Sequence, residues 1–165
     1  MAILGFEKKR AAVEALKQVI RPRVRGGFES HADILEYAVE CGEDEGAPRA
    51  FVVRQAQTIL AAEISALRAE QATWPAVTDF DRLESAFQIL ESSGIVCRHD
   101  FSCCGSCASG EIWDEIESER DAGRTIRGAA HYDQQNTESA VEGHGLWFSY
   151  ASTVGGRRSV GVNRQ

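Results

Sequence analysis

The sequence predicts an α+β domain in which N-terminal helices pack on a small sheet of three or more strands. Three observations carry the prediction. Apolar residues recur with a helical period up to about residue 90. At Ile95-Val96-Cys97-Arg98-His99-Asp100-Phe101 the period changes to the alternation of a strand. Strand-like and helix-like segments then alternate, giving β-α-β-α-β after the helices.

Residues 7–20 predict a short helix with Ala12, Val13, Leu16 and Ile20 on one side. Pro22 and Gly26-Gly27 are expected to end it. Ser30 is placed to cap a second helix through Tyr37 to Cys41, with Ile34, Leu35, Ala38 and Val39 apolar. Residues 42–46 form an acidic loop. A long helix should run from about Pro48 to about Ala72. Its stripe is Val53, Ala56, Leu60, Ile64 and Leu67. Pro48 is tolerated in its first turn, and Trp74-Pro75 closes it. Thr78-x-x-Asp81 is a capping-box variant. It opens a helix with Phe80, Leu83, Phe87 and Leu90 inward and Gly94 at its end.

The strand over residues 95–101 puts Ile95, Cys97, His99 and Phe101 on one face, and Val96, Arg98 and Asp100 on the other. Ser109 is expected to cap the next helix, with Ile112, Trp113 and Ile116 inward and Gly123 at its end. Residues 125–132 predict a second strand and residues 137–142 a short helix. Residues 146–150 predict a third strand, entered through Gly143-His144-Gly145. The resulting organisation is a basic helical arm over 1–27, one α+β domain over 28–151 and a polar tail over 152–165.

A chain of 165 residues can bury a real core without disulfides or metal. No apolar run approaches the roughly 20 residues of a membrane span. The N-terminus is apolar first and charged second, at Glu7-Lys8-Lys9-Arg10, the wrong order for a secretory signal. The cysteine count of 5 is odd, which argues against a secreted disulfide framework. The expectation is a cytoplasmic protein with reduced cysteines. The net charge of −7 repels nucleic-acid phosphates. That charge is uneven: Lys and Arg dominate residues 1–27, whereas Asp and Glu dominate residues 28–123. An acidic surface of this kind would steer a basic protein partner, as in an inhibitor or immunity-type protein. The basic segment reads most simply as a solvated helix and linker.

The most informative stretch is Cys103-Cys104-Gly105-Ser106-Cys107, between a strand and a helix. Thiolates suit zinc or copper(I), and a structural zinc site wants four ligands in a tetrahedron. Cys103 or Cys104 with Cys107 could supply two, and Cys97 and His99 on the preceding strand two more. Cys104-x-x-Cys107, between a strand and a helix, also suits thiol–disulfide oxidoreductase chemistry, since a helix N-terminus favours thiolate. A thioredoxin-type fold needs a proline loop downstream of the thiols, and every proline here lies upstream. The plainest alternative is buried or tolerated cysteine, with Cys41 and Cys97 in the core.

Other candidates are weaker. His131 with Asp133 or Glu138 could form an acid–base pair, but Asp133 or Asn136 as a helix cap explains the same block. Gly143-His144-Gly145 is too short to cradle a phosphate, so no nucleotide is expected. The carboxylates of residues 111–121 read as a solvated helix face before a cation site. No hydrolase, zinc-protease or calcium-loop motif is present, and the chain leans away from being an enzyme.

Four blocks together resemble an uncharacterised bacterial family of domains of unknown function. They are Trp74-Pro75-Ala76-Val77-Thr78-Asp79-Phe80-Asp81-Arg82-Leu83; Gly94-Ile95-Val96 leading into Phe101-Ser102-Cys103-Cys104-Gly105-Ser106-Cys107; His131-Tyr132-Asp133-Gln134-Gln135-Asn136-Thr137-Glu138; and Gly143-His144-Gly145-Leu146-Trp147-Phe148-Ser149-Tyr150. The likeness spans about residues 70–151. The family's third block resembles Gln-Asp-Thr-Glu and its fourth Gly-Gly-Gly-Leu, whereas this chain has Asn136 and His144. The resemblance implies a soluble α+β domain and carries no activity. It also implies a further helix and strand after residue 150, so the sheet here is expected to end one strand short. The sequence reading is thus a binding or regulatory module whose cysteine loop holds a thiophilic metal, with zinc the expected ion.

Overall fold

The computed structural model describes residues 2–153 and 159–164; residues 2–4 and 159–164 are described by backbone alone. The chain divides into two compact units, 1–74 and 75–165.

The first unit contains α1 (Ala2–Gly26), α2 (His31–Asp44) and α3 (Arg49–Gln71). Ala12, Leu16, Ile20 and Val24 recur every fourth residue of α1 and are fully or nearly fully buried. They share one core with Ile34, Ala38 and Val39 of α2 and with Val52, Ala56 and Leu60 of α3. Gly42 lets the helices close: a Cβ there would lie 2.6 Å from Val52 Cγ1. Helix α1 therefore supplies a third of a core, where the sequence suggested a solvated basic arm. It also continues through Pro22, the first of the two stops expected from the sequence, and ends at the second, Gly26-Gly27. Proline removes one backbone donor, but Val24 lies beyond it on the buried stripe, and that packing favours the extra turn. The helix stops at Gly27 (φ 76°), whose N–H reaches the Arg23 carbonyl. The basic end of α1 is engaged: Arg23 pairs with Glu29 at 2.6 Å and Arg25 with Glu70 at 2.5 Å.

The second unit holds α4 (Asp79–Ser92), β1 (Ile95–Arg98), α5 (Gly105–Asp121), β2 (Gly128–His131), α6 (Gln134–Val141), β3 (Trp147–Ser152) and β4 (Ser159–Arg164). The strands form one mixed sheet in the order β1-β2-β3-β4. β1 and β2 are parallel, with Val96 opposite Ala129. β3 is antiparallel to both β2 and β4. The α+β class and the order of the first three strands stand as read from the sequence. Residues 159–164, read as part of a polar tail, instead complete the sheet. Val160 and Val162 alternate around Gly161, a β-branched period of two that the short segment only weakly announces.

Each sheet face has its own core. Ile112 and Ile116 of α5 pack with Val96, Ile126 and Ala129. On the opposite face Phe87 of α4 packs with Cys97 and Tyr132, joined by Leu83, Ile95, Ala130 and Phe148. Helix α4 starts with the predicted capping box between Thr78 and Asp81. Phe80 and Leu90, expected inward, are 49% and 37% exposed.

Candidate functional site

Strand β1 ends at Arg98, and the chain must reverse into α5 within a few residues. It does so through Asp100 (φ 48°) and Ser102 (φ 65°), both left-handed without being glycine. Such conformations cost roughly 1–3 kcal/mol each and persist only where neighbours hold them. Here three bonds hold the loop against Tyr132 and the first turn of α6. Phe101 N–H donates to the Tyr132 carbonyl (2.8 Å), Gln134 N–H to the Ser102 carbonyl (3.1 Å), and the Thr137 hydroxyl to Asp100 Oδ1 (2.5 Å). The thiols are thus carried on a fixed turn.

That turn is the start of α5. The sequence placed the cap at Ser109; the helix in fact begins at Gly105 with Cys104 as N-cap. The reason is the buried stripe Ala108, Ile112 and Ile116, which extends one turn earlier than the apolar side chains alone suggest because Ala108 is small. Cys103 precedes the cap and Cys107 lies in the first turn. The sulfurs of Cys103, Cys104 and Cys107 all lie within 4.8 Å of one another. Cys103 and Cys107 are exposed and Cys104 is half-buried.

The thiols differ electrostatically. The Cys107 N–H lowers the Cys104 pKa most; the Cys107 and Cys103 thiols and the Ser106 N–H act in the same direction. Cys107 is pushed up to about 11, first by its interaction with Cys103 and then with Cys104. Of these two, Cys104 is the one whose thiolate is favoured, at the positive end of a helix dipole.

Cys97 and His99, expected to complete a tetrahedron, do not join this group. Cys97 is buried on the α4 face of the sheet, and burial pushes its thiol up to about 12. His99 lies beyond the end of β1. Its Nδ1 is 2.8 Å from the Tyr132 hydroxyl and its Nε2 2.9 Å from Glu84 Oε2. Both nitrogens are engaged, and the ring sits 4.5 Å from that of Phe87. Burial raises the Tyr132 hydroxyl well above its ordinary range, with Asp100 and Glu84 adding to it. This Glu84–His99–Tyr132 chain escaped the sequence reading, because Glu84 contributes from another helix.

The block after β2 serves mainly as a cap. Asp133 is buried and accepts from Asn136 N–H (3.0 Å) and Asn136 Nδ2 (2.7 Å). His131 is 2% exposed, and its Nδ1 has no hydrogen-bond partner. Burial lowers its pKa, partly opposed by Asp133. The Asp133 carboxylate reaches the cysteine turn: a Cβ on Gly105 would lie 3.5 Å from Asp133 Oδ2.

Fold and site together define a small α+β protein with three clustered thiols at the start of a crossover helix. The chain belongs to the family described as domain of unknown function DUF6891, whose model matches residues 9–165. No curated protein and no solved structure matches it. Among the described residues, no helix is long and apolar enough to cross a membrane.

Proposed function

We propose that the protein is a metal-binding regulatory module that takes a thiophilic cation, zinc or copper(I), on Cys103, Cys104 and Cys107. One observation carries the reading: three sulfurs within 4.8 Å of one another on a fixed turn. A tetrahedral ion with bonds of about 2.3 Å sets its sulfurs about 3.8 Å apart, so closure asks for shifts of about 1 Å or less. Three thiolates around a dication leave one excess negative charge. The N-terminus of α5, equivalent to about half a positive charge, offsets part of it. Three protein ligands leave a fourth position for water or an exchanging ligand, which suits uptake and release better than a closed structural site.

The test is a competition titration of the reduced, metal-free protein against a chromophoric chelator. The reading predicts one ion per chain, held more tightly than about 1 μM, or about 8 kcal/mol. The triple variant with serine at 103, 104 and 107 should lose that binding while keeping its circular dichroism. Equal binding by both proteins, or binding by neither, would refute it. A basic protein partner for the acidic surface has less support, since Glu91, Glu115 and Glu119 are already drawn to Arg98.

A further inference from the structure

We infer that Cys104 and Cys107 form a dithiol–disulfide couple that exchanges with small disulfides of the glutathione class, with Cys103 as a bystander thiol. The couple rests on the same thiol turn as the metal reading but on no bound metal, so the two stand or fall separately.

The choice of pair follows from geometry. Adjacent Cα atoms are about 3.8 Å apart, below the roughly 4.4 Å that a disulfide normally needs. A bond between Cys103 and Cys104 is therefore strained. Residues three apart on a helical turn have Cβ atoms about 5–6 Å apart, and a modest closure brings them to the roughly 3.8 Å of a disulfide. Cys104 and Cys107 stand in that relation, as N-cap and first-turn residue of α5, with sulfurs inside 4.8 Å. Gly105 between them has the Asp133 carboxylate against it, while the Cys107 side is open to solvent. Cys41, on α2 of the first unit, and Cys97, buried on the α4 face of the sheet and no member of the cluster, serve as internal controls.

The exchange balances. The Cys104 thiolate attacks one sulfur of the small disulfide. A bond from Cys104 to that sulfur forms, the original S–S bond breaks, and one thiolate leaves with the electron pair and takes up from solvent the proton that Cys104 had released. Cys107 gives its proton to solvent and its sulfur attacks Cys104 Sγ. The Cys104–Cys107 bond forms, the mixed disulfide breaks, and the second thiolate leaves and takes up a proton. The protein dithiol is oxidised by two electrons and the small disulfide is reduced to two thiols. Oxidation would remove two of the three proposed metal ligands.

The experiment equilibrates the full chain, with a chelator present, in reduced and oxidised glutathione, then alkylates and digests it. Trypsin releases residues 99–120 as one peptide carrying all three thiols. The expected result is loss of two hydrogens from that peptide, with Cys103 alkylated and Cys104 and Cys107 protected, reversed by excess reduced glutathione. Three alkylated thiols, a bond through Cys103, or a mixed disulfide that persists would overturn the inference.

Discussion

Replacing Ile112 by alanine should destabilise the second unit by about 3–4 kcal/mol. Ile112 is 1% exposed in the core between α5 and the sheet. The change removes three side-chain carbons, and at about 0.8 kcal/mol per buried methylene the transfer loss is about 2.4 kcal/mol. Val96 and Ala129 are fixed on paired strands, and Ile116 is held one turn along the same helix. They cannot collapse fully into the space. A residual cavity of about 60 Å³ adds about 1.4 kcal/mol at about 24 cal/mol per Å³. Against the roughly 5–15 kcal/mol net stability of a domain, that is a large fraction. Urea unfolding followed by circular dichroism measures it, and hydrogen exchange should rise together along α5. A loss under about 1.5 kcal/mol would refute the claim that this stripe anchors the helix that carries the thiols.

Other outcomes follow from named groups. The His131 pKa is depressed in the fold, so below its ordinary value of about 6.5 the unfolded chain takes up a proton that the folded chain refuses. Stability should then fall with falling pH by up to about 1.4 kcal/mol per unit; His131→Leu should lose that part of the slope, and an unchanged slope would contradict it. Gly128→Ala would put a Cβ 2.4 Å from the Ala151 carbonyl oxygen, forcing β2 and β3 apart. A loss of about 1–3 kcal/mol is expected, and an unaltered melting curve would count against the pairing. Metal affinity should tighten by more than tenfold from about pH 6 to about pH 8, because Cys107, pushed up to about 11, must lose its proton to ligate. A titration giving the same affinity at both ends would contradict thiolate ligation.

The legible parts of the sequence were those written in local chemistry. Thr78 and Asp81 announce their helix start, Ser30 its cap, and the change of period at Ile95 the sheet. The misread parts depended on packing. Pro22 looks like a stop until Val24 is seen to be buried beyond it. Ser109 looks like a cap until Ala108 proves to lie at the buried start of α5. For the site, the spacing Cys103-Cys104-x-x-Cys107 singled out the three thiols that the fold gathers. Cys97 and His99 shared a strand face on paper, but β1 ends at Arg98. His99 then turns to Glu84 and Tyr132, and Cys97 goes into the core. Sequence alternation cannot show where a strand stops being a strand.

Metal ligation by Cys103, Cys104 and Cys107 is decided by the native mass of the full chain, reduced and purified without oxygen, after addition of one equivalent of zinc and buffer exchange. The expected result is the mass of the chain plus one ion, with the mass of the bare chain alone for the variant with serine at 103, 104 and 107. A bare, fully reduced wild-type mass would contradict it and leave the three cysteines as ordinary residues of a helix start.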